Sequence, residues 1–261
     1  MPPLCSKRGQ ATLPNLFGYE TRQTHLCTIM PRQITKIALL TISLFLSAAT
    51  VFGQSTTGTV SMSATVSKFV ELNSGGAVTL TGNSGGGVTT DGVANSPLAV
   101  SINLGELGPS NTNSFVFAQV PLKLRSNAAY VLSMTATVTS SGATSSRIVA
   151  ADVGFGLGTI SRSGTGVNTT GTDTNATSGD PTLAANGAVN GTSGRYEFTA
   201  VRSNLSAFSS ATTALSGPII MNAVPRSNAN GLTVPAFFAI KPQFFENGTT
   251  TISVTFTVTA P

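Results

Sequence analysis

The sequence predicts an all-β protein, an antiparallel β-sandwich of about nine or ten strands. After residue 53, apolar and polar residues alternate with a period of two in several runs, and turn-forming clusters of Asn, Ser and Gly separate these runs. No stretch there keeps the three- and four-residue apolar spacing of a helix, and only Ser203 to Leu215 predicts one short helical turn. Because each alternating run buries one face and exposes the other, the pattern favours two sheets packed face to face.

Residues 30–53 are predicted to be a signal peptide. Arg32 and Lys36 give the basic start, and Ile37 to Phe52 forms the apolar part of the signal. This run has 16 residues and includes several hydroxyl side chains, whereas a membrane-spanning helix needs about 20 apolar residues. We therefore expect cleavage at the end of the segment, with Ala49 as the alternative site, and no stable membrane span in the product.

Residues 1–29 precede the basic start and match no part of a standard signal peptide. We interpret them as an upstream extension assigned in error, and we expect translation to begin at Met30 rather than Met1. Peptides from Cys5 to His25 in the precursor would contradict this hypothesis. The predicted product is one β-sandwich domain, residues 54–261, that is secreted to the periplasm, the cell surface or the medium.

The first alternating run of this product is Gly58 to Val66, which predicts a strand. Its apolar face consists of Val60, Met62, Ala64 and Val66. We expect the strand to pair with a sheet edge of its own domain. The alternative is pairing with an edge of a neighbouring copy, which would make these four residues an assembly strand.

Later runs supply the remaining predicted strands. Four of them alternate and should bury one face: Leu98 to Ile102, Val120 to Leu124, Tyr130 to Val138 and Ile252 to Val258. Three others are more continuously apolar and are predicted to lie in the middle of a sheet: Val149 to Leu157, Ile219 to Val224 and Val234 to Ile240.

A long polar loop is predicted from residue 161 to residue 194. A loop of this length is either mobile or functional, so we interpret it as a flexible surface excursion, with a display loop that meets a partner as the alternative. Within it, Asp173, Asn175, Thr177 and Asp180 supply oxygen ligands in the manner of a calcium loop. The glycine of such loops is displaced and the closing glutamate is missing. We therefore predict no bound metal and keep these four residues as a calcium candidate only.

The composition argues against enzymatic catalysis and against soft-metal binding by the secreted product. Beyond residue 53 there is no histidine, cysteine or tryptophan, since His25, Cys5 and Cys27 all lie upstream. These residue types supply many proton shuttles, nucleophiles and soft-metal ligands. The eight acidic residues of this part show no pair at a spacing that places two carboxylates on one strand face, as a glycosidase would need. We predict a protein that is not an enzyme and that has no cofactor.

The charge of the product is nearly balanced. The whole chain carries a formal net charge of +5, but most of the excess lies in the leader, and nine basic and eight acidic residues follow residue 53. The basic residues are scattered and have no aromatic residues interleaved with them. The sequence therefore predicts no nucleic-acid partner.

Two segments resemble a known family. Val120 to Met134, with its alternating strand, short polar turn and Tyr-led strand, is similar to the central hairpin of bacterial secreted pilin-like domains, including the spore coat protein U type. Phe244 to Phe256 resembles their final turn and C-terminal strand. The likeness covers about a quarter of the product, and it implies an immunoglobulin-like sandwich, export past the inner membrane and a structural or adhesive role. Those domains usually carry a disulfide, which this product lacks.

We therefore expect a secreted, non-enzymatic structural or adhesive component of a surface, coat or fibre. Its partner would be itself or related subunits, bound through strand pairing. The alternative is an extracellular module that binds carbohydrate or another ligand, with Tyr130 and Tyr196 as candidate stacking groups for a glycan. The absence of Trp from the product weighs against that alternative.

Overall fold

The structure, a computed structural model, describes residues 61–222 and 229–261. The predicted upstream extension, the predicted signal peptide and the start of the product up to Val60 lie outside the described residues. The described part of the chain is all-β and is built from antiparallel sheets, as the alternation predicted. No helix in these two ranges is long and apolar enough to cross a membrane.

The described ranges contain fourteen strands, more than predicted, because short strands also form in polar segments. In chain order they are β1 (Val70–Ser74), β2 (Thr79–Thr81), β3 (Gly87–Thr90), β4 (Ser101–Asn103), β5 (Val116–Ser126), β6 (Tyr130–Ser140), β7 (Val153–Leu157), β8 (Ser161–Ser163), β9 (Thr174–Asn175), β10 (Gly187–Val189), β11 (Tyr196–Phe198), β12 (Thr212–Gly217), β13 (Gly231–Ile240) and β14 (Thr250–Thr259).

Three short 3-10 helices lie between the strands, at Ala150–Asp152, Ala184–Asn186 and Leu205–Phe208. The third confirms the short helical turn predicted within residues 203–215. Asn204 caps it, since its side-chain oxygen accepts a hydrogen bond from the backbone N–H of Ser206 at 3.0 Å.

The first sheet has six strands, in the order β1-β5-β13-β7, with β2 also paired to β5 and β8 to β13. β5 and β13 form its centre and pair from Leu124 opposite Leu232 to Val116 opposite Ile240. The segment from Val234, predicted to lie in the middle of a sheet, is confirmed there as part of β13.

The second sheet has four strands, in the order β14-β6-β12-β9. β14 and β6 pair without interruption over ten residues, from Thr250 opposite Ser140 to Thr259 opposite Val131. Two small two-stranded sheets, β3-β4 and β10-β11, complete the described part of the fold.

The strands β5 and β6 follow each other in the chain but pair in different sheets. The hairpin that the family resemblance implied for residues 120–134 is therefore wrong. The connection crosses between the sheets at Asn127 to Ala129, and Ser126 stabilises the crossing. Its hydroxyl donates to the carbonyl of Ala128 at 2.6 Å and accepts from the N–H of the same residue at 3.1 Å.

One hydrophobic cluster takes side chains from both sheets. Every second residue is buried from Val116 to Leu122 in β5 and from Tyr130 to Ala136 in β6, as the alternation predicted, whereas Leu122 to Ser126 at the end of β5 are all buried. The ring of Phe155 on β7 lies 6.2 Å from the ring of Phe256 on β14, measured between centroids. The two sheets therefore share a core.

The segment Ile219 to Val224, predicted as a central strand, forms none in its described part. β12 ends just before Pro218, whose missing N–H cannot continue a ladder, and Ile220 is buried in the core without belonging to a strand. Val224 itself lies outside the described residues. The runs predicted from Leu98 and from Val149 form strands only over β4 and β7.

The 161–194 segment, predicted as one long polar loop, contains β8, β9, β10 and a 3-10 helix. Its middle part packs over β7, where the Thr177 hydroxyl accepts a hydrogen bond from the N–H of Leu157 at 3.1 Å. Gly156 permits this approach, because a Cβ at that position would lie 1.3 Å from the carbonyl oxygen of Gly179. Since β9 pairs with β12, the segment joins an edge of each sheet.

Candidate assembly groove

An open groove of about 1460 Å³ lies along β14 at the edge of the second sheet. One wall is the apolar face of β14, formed by Ile252, Val254, Phe256 and Val258. The opposite sheet contributes alternate residues of β5, and no residue of the 161–194 segment lines the groove. The core is therefore covered on the side of β7 and open on the side of β14.

The outer edge of β14 has no strand paired with it among the described residues. The apolar side chains of β14 are only half-buried, although their neighbours Leu132 and Met134 on β6 are fully buried in the same face. β14 is ten residues long and lacks the Pro, Lys and bulges with which proteins usually protect an edge strand. This edge is a template on which another strand can pair.

A further wall of the groove comes from the segment Pro97–Gly108. Its side chains Leu98, Val100, Ile102 and Leu104 alternate and are half-buried against the core. β4, within this segment, pairs only with β3 and forms no ladder with β14 or β5. The segment therefore contributes apolar surface to the groove and leaves the backbone groups along the β14 edge unpaired by it.

The segment from Met62 to Phe69 is exposed and lies outside both sheets. Met62 is 91% exposed and Val66 is 84% exposed, and Ala64 between them is also exposed. The strand predicted from residue 58 is thus not paired with its own domain in its described part, and Val60 lies outside the described residues. Among the described residues, residues 62–66 pair with no strand, since the first sheet begins only at β1, and the choice between the same domain and a neighbouring copy stays a prediction.

Asn127 fixes the point at which this segment leaves the domain. Its side chain accepts a hydrogen bond from the N–H of Phe69 at 2.7 Å and donates one to the carbonyl of Ser67 at 3.0 Å. Lys68 donates to the backbone oxygen of Pro261, just after β14. The exposed segment therefore starts from a fixed position close to the C-terminal end of β14.

Two charged side chains fix the end of the groove that lies near the start of β14. Arg195 stacks on the ring of Phe245 at 5.1 Å and pairs with the buried carboxylate of Asp152, whose pKa is raised by its burial. Glu246 accepts hydrogen bonds from the hydroxyl and N–H of Thr144, both at 2.7 Å, and these bonds lower the pKa of Glu246. The groove is thus preorganised at this end, which reduces the entropic cost of binding.

The side-chain oxygens of all four calcium-candidate residues accept hydrogen bonds from other protein groups. Both carboxylate oxygens of Asp173 accept hydrogen bonds from Arg162. The side-chain oxygen of Asn175 accepts from Thr177, and a carboxylate oxygen of Asp180 accepts from Thr182. No cluster of three or more His, Cys, Asp or Glu lies within the described ranges. A calcium ion would have to displace the guanidinium of Arg162, so the calcium prediction gains no support and stays a prediction.

Asp173 instead belongs to a buried polar cluster. Arg162 donates to it at 2.8 Å and 2.5 Å, and the hydroxyl of Tyr130 donates to it at 2.7 Å. Burial, followed by the hydrogen bond to Asp173, raises the pKa of Tyr130, while that carboxylate raises the pKa of Arg162. Tyr130 is 1% exposed, so its ring is unavailable to a sugar, and its prediction as a stacking group is wrong.

Tyr196, the other predicted stacking group, is half-buried at the surface. The ammonium of Lys241 lies 4.7 Å from the centre of its ring, and the ring of Phe115 packs edge-on at 5.5 Å. The ring of Phe198 also packs against Tyr196, at 5.3 Å. Tyr196 is therefore part of an aromatic cluster with one cation already placed over its face.

Searches against protein-family models, curated proteins and solved structures find no match to this chain. The family resemblance carried by residues 120–134 and 244–256 therefore stays a prediction.

Proposed function

We propose that this protein is a secreted, non-enzymatic structural subunit of a surface coat or fibre, with an immunoglobulin-like sandwich as its fold. In this proposal, residues 58–66 of one copy pair with β14 of the next copy and fill the groove. One observation carries the proposal: the described part of the chain combines an edge strand that no other described strand pairs with, an apolar groove beside it, and an exposed segment of alternating apolar residues.

The lengths of the two partners match. A strand rises about 3.3 Å per residue, so residues 58–66 extend about 30 Å and the ten residues of β14 about 33 Å. Strand addition of this kind takes its affinity from backbone hydrogen bonds and its specificity from pockets for alternate side chains. Here Val60, Met62, Ala64 and Val66 are the side chains that would enter the groove.

Insertion into a neighbouring copy is favoured over insertion into the same copy. Residues 67 and 69 are held by Asn127, so the chain would have to reverse just before this anchor to reach its own groove. Of the residues that tight turns prefer, namely Gly, Pro, Asn, Asp and Ser, the sequence from Ala64 to Ser67 contains only Ser67, whose carbonyl is already hydrogen-bonded to Asn127. An exposed segment with a fixed exit instead reaches outward to a second copy.

Deletion of residues 54–66 tests this function. We expect the truncated protein to remain folded and monomeric, while the complete product forms concentration-dependent filaments in electron micrographs. Filaments of the truncated protein would contradict strand donation, and loss of its fold would show that the segment completes its own domain. N-terminal sequencing of the exported product tests the export part of the proposal, which requires Gln54, or Thr50 after cleavage at the alternative site, as the first residue found.

A carbohydrate-binding module is the second candidate, and half-exposed aromatic rings favour it. Phe117 and Phe237 lie 5.2 Å apart, and Phe115 lies beside Tyr196. Aromatic rings at a surface can pack against the apolar faces of sugars. Specific binding on a glycan array that is lost in Tyr196→Ala would favour this function, whereas filaments without glycan binding would favour the structural one.

A further inference from the structure

A buried lysine and a buried asparagine face each other on the first sheet, away from the groove. Lys123 of β5 is 9% exposed and Asn73 of β1 is 5% exposed, and the two residues are direct cross-strand partners. The side-chain amide of Asn73 donates to Glu71 at 2.9 Å, and Glu71 forms an ion pair with Arg125 at 3.0 Å. The three groups of an amide-forming site, an amine, a carboxamide and a carboxylate, therefore share one sheet face.

The environment of Lys123 makes its neutral amine more accessible than that of a solvent-exposed lysine. Burial, and secondly the nearby charge of Arg125, lower the pKa of Lys123. Its Nζ donates to the carbonyl of Ala229, a neutral partner that offers no negative charge. A neutral lysine amine is a nucleophile, whereas the ammonium form is not.

Asn73 lies within reach of this amine. Directly opposed residues of an antiparallel pair have Cβ atoms about 4.5–5.5 Å apart, a distance that the four-carbon stem of a lysine can span. The approach requires the Lys123 side chain to rotate away from Ala229 and across the strand pair, so that Nζ meets Cγ of Asn73. The hydrogen bond to Glu71 holds the carboxamide in place for this approach.

We propose that Lys123 and Asn73 form an intramolecular amide cross-link between β5 and β1. The lone pair of the neutral Nζ attacks Cγ of Asn73, and the carbonyl electrons move to Oδ1. Glu71 accepts a proton from Nζ and delivers it to Nδ2. The Cγ–Nδ2 bond then breaks as the carbonyl re-forms, and ammonia leaves. Glu71 is regenerated, the reaction needs no oxidant, and the protein loses about 17 Da.

The position of this bond suits a subunit under tension. β1 is a five-residue edge strand that follows the exposed segment directly, so a pull on that segment peels β1 from β5. A covalent bond at Asn73 passes the load to the central strand β5. It also supplies a cross-link in a product without cysteine. This purpose rests on the proposed function, whereas the bond itself does not.

Trypsin digestion of the denatured product, followed by mass spectrometry, tests the bond. Asn73 and Lys123 belong to one tryptic fragment, residues 69–123, because no other Lys or Arg lies between its ends. Trypsin cannot cleave after a lysine whose amine is acylated. We therefore expect a fragment of residues 69–125 that is about 17 Da lighter than its sequence. Cleavage after Lys68 in the same digest is the internal control.

Two variants identify the chemistry. Lys123→Arg keeps the positive charge but cannot form the amide, and Glu71→Gln removes the proton carrier, so we expect both to lose the mass deficit. Cyclisation of Gln54 or of an Asn-Gly site also releases ammonia, but it leaves cleavage after Lys123 intact. A fragment that ends at Lys123 in the wild-type digest overturns the proposal. Because the measurement uses monomers, failure of fibre assembly does not affect it.

Discussion

Met62 and Val66 are large apolar side chains that the folded domain leaves almost fully exposed. Burial of such a side chain is worth about 1.5–3 kcal/mol, and the monomer obtains none of this stabilisation from either residue. Ser63 and Thr65 lie between them and point to the other face of an extended chain. We therefore expect the apolar face of this segment to enter the groove and the hydroxyl face to stay outside it. Substitutions on one face at a time can distinguish these two roles.

The double variant Met62→Asp with Val66→Asp should abolish assembly, because two carboxylates would have to enter an apolar groove. Its thermal unfolding should match the wild-type monomer, since neither side chain contacts the core. The matched control is Ser63→Asp with Thr65→Asp, which adds the same charge to the opposite face and should still assemble. Sedimentation and electron microscopy measure assembly. Equal loss of assembly in both variants would show that the added charge alone, and not the apolar face, controls assembly.

At the level of elements, the alternation of apolar and polar residues predicted which face of each strand is buried. It did not predict which strands pair with each other. The buried faces of β5 and β6 follow from a period of two, which is a local property of the chain. Their placement in different sheets depends on contacts with β13, β12 and β14, which are distant in sequence. The short strands β8 to β10 were missed because they form in polar segments through pairing rather than through apolar burial.

The groove was also beyond prediction from sequence, for a related reason. Ile252 to Val258 has the pattern of an ordinary half-buried strand, and the sequence does not show that one edge of it is left unpaired. The one available signal was the alternating run from residue 58 at the start of the product, which suggested a strand with two possible partners. Within the described residues, the structure pairs residues 62–66 with no strand.

Val254→Lys should block strand addition to β14. Val254 lines the groove and is half-buried, and a lysine there can extend its ammonium into solvent while the groove is open. A strand in the groove would bury that charge at a cost of several kcal/mol. Ser253→Lys, on the exposed face of the same strand and outside the groove lining, is the control and should assemble normally. We expect monomeric Val254→Lys by size-exclusion chromatography, and filaments of that variant would contradict the role of β14.

At the scale of the whole molecule, the two sides of the shared core differ. Beside β7, the 161–194 segment bonds to β7 and pairs with β12, so both sheet edges are covered. Beside β14, the apolar face of the strand borders an open groove. If a strand enters this groove, as proposed, its binding to the folded state stabilises that state. The proposal therefore links assembly thermodynamically to folding stability.

This linkage predicts the effect of a peptide on the truncated protein that lacks residues 54–66. A synthetic peptide of residues 58–66 that binds only the folded state should stabilise it by about 2.7 kcal/mol at a concentration of 100 times its Kd. For a domain of this size, each kcal/mol raises Tm by about 2–4 °C, so we expect a rise of about 5–10 °C. A peptide with Asp at positions 60, 62, 64 and 66 is the control and should leave Tm unchanged. Equal shifts with both peptides would exclude recognition of the apolar face, and no shift with either would exclude the groove as the binding site.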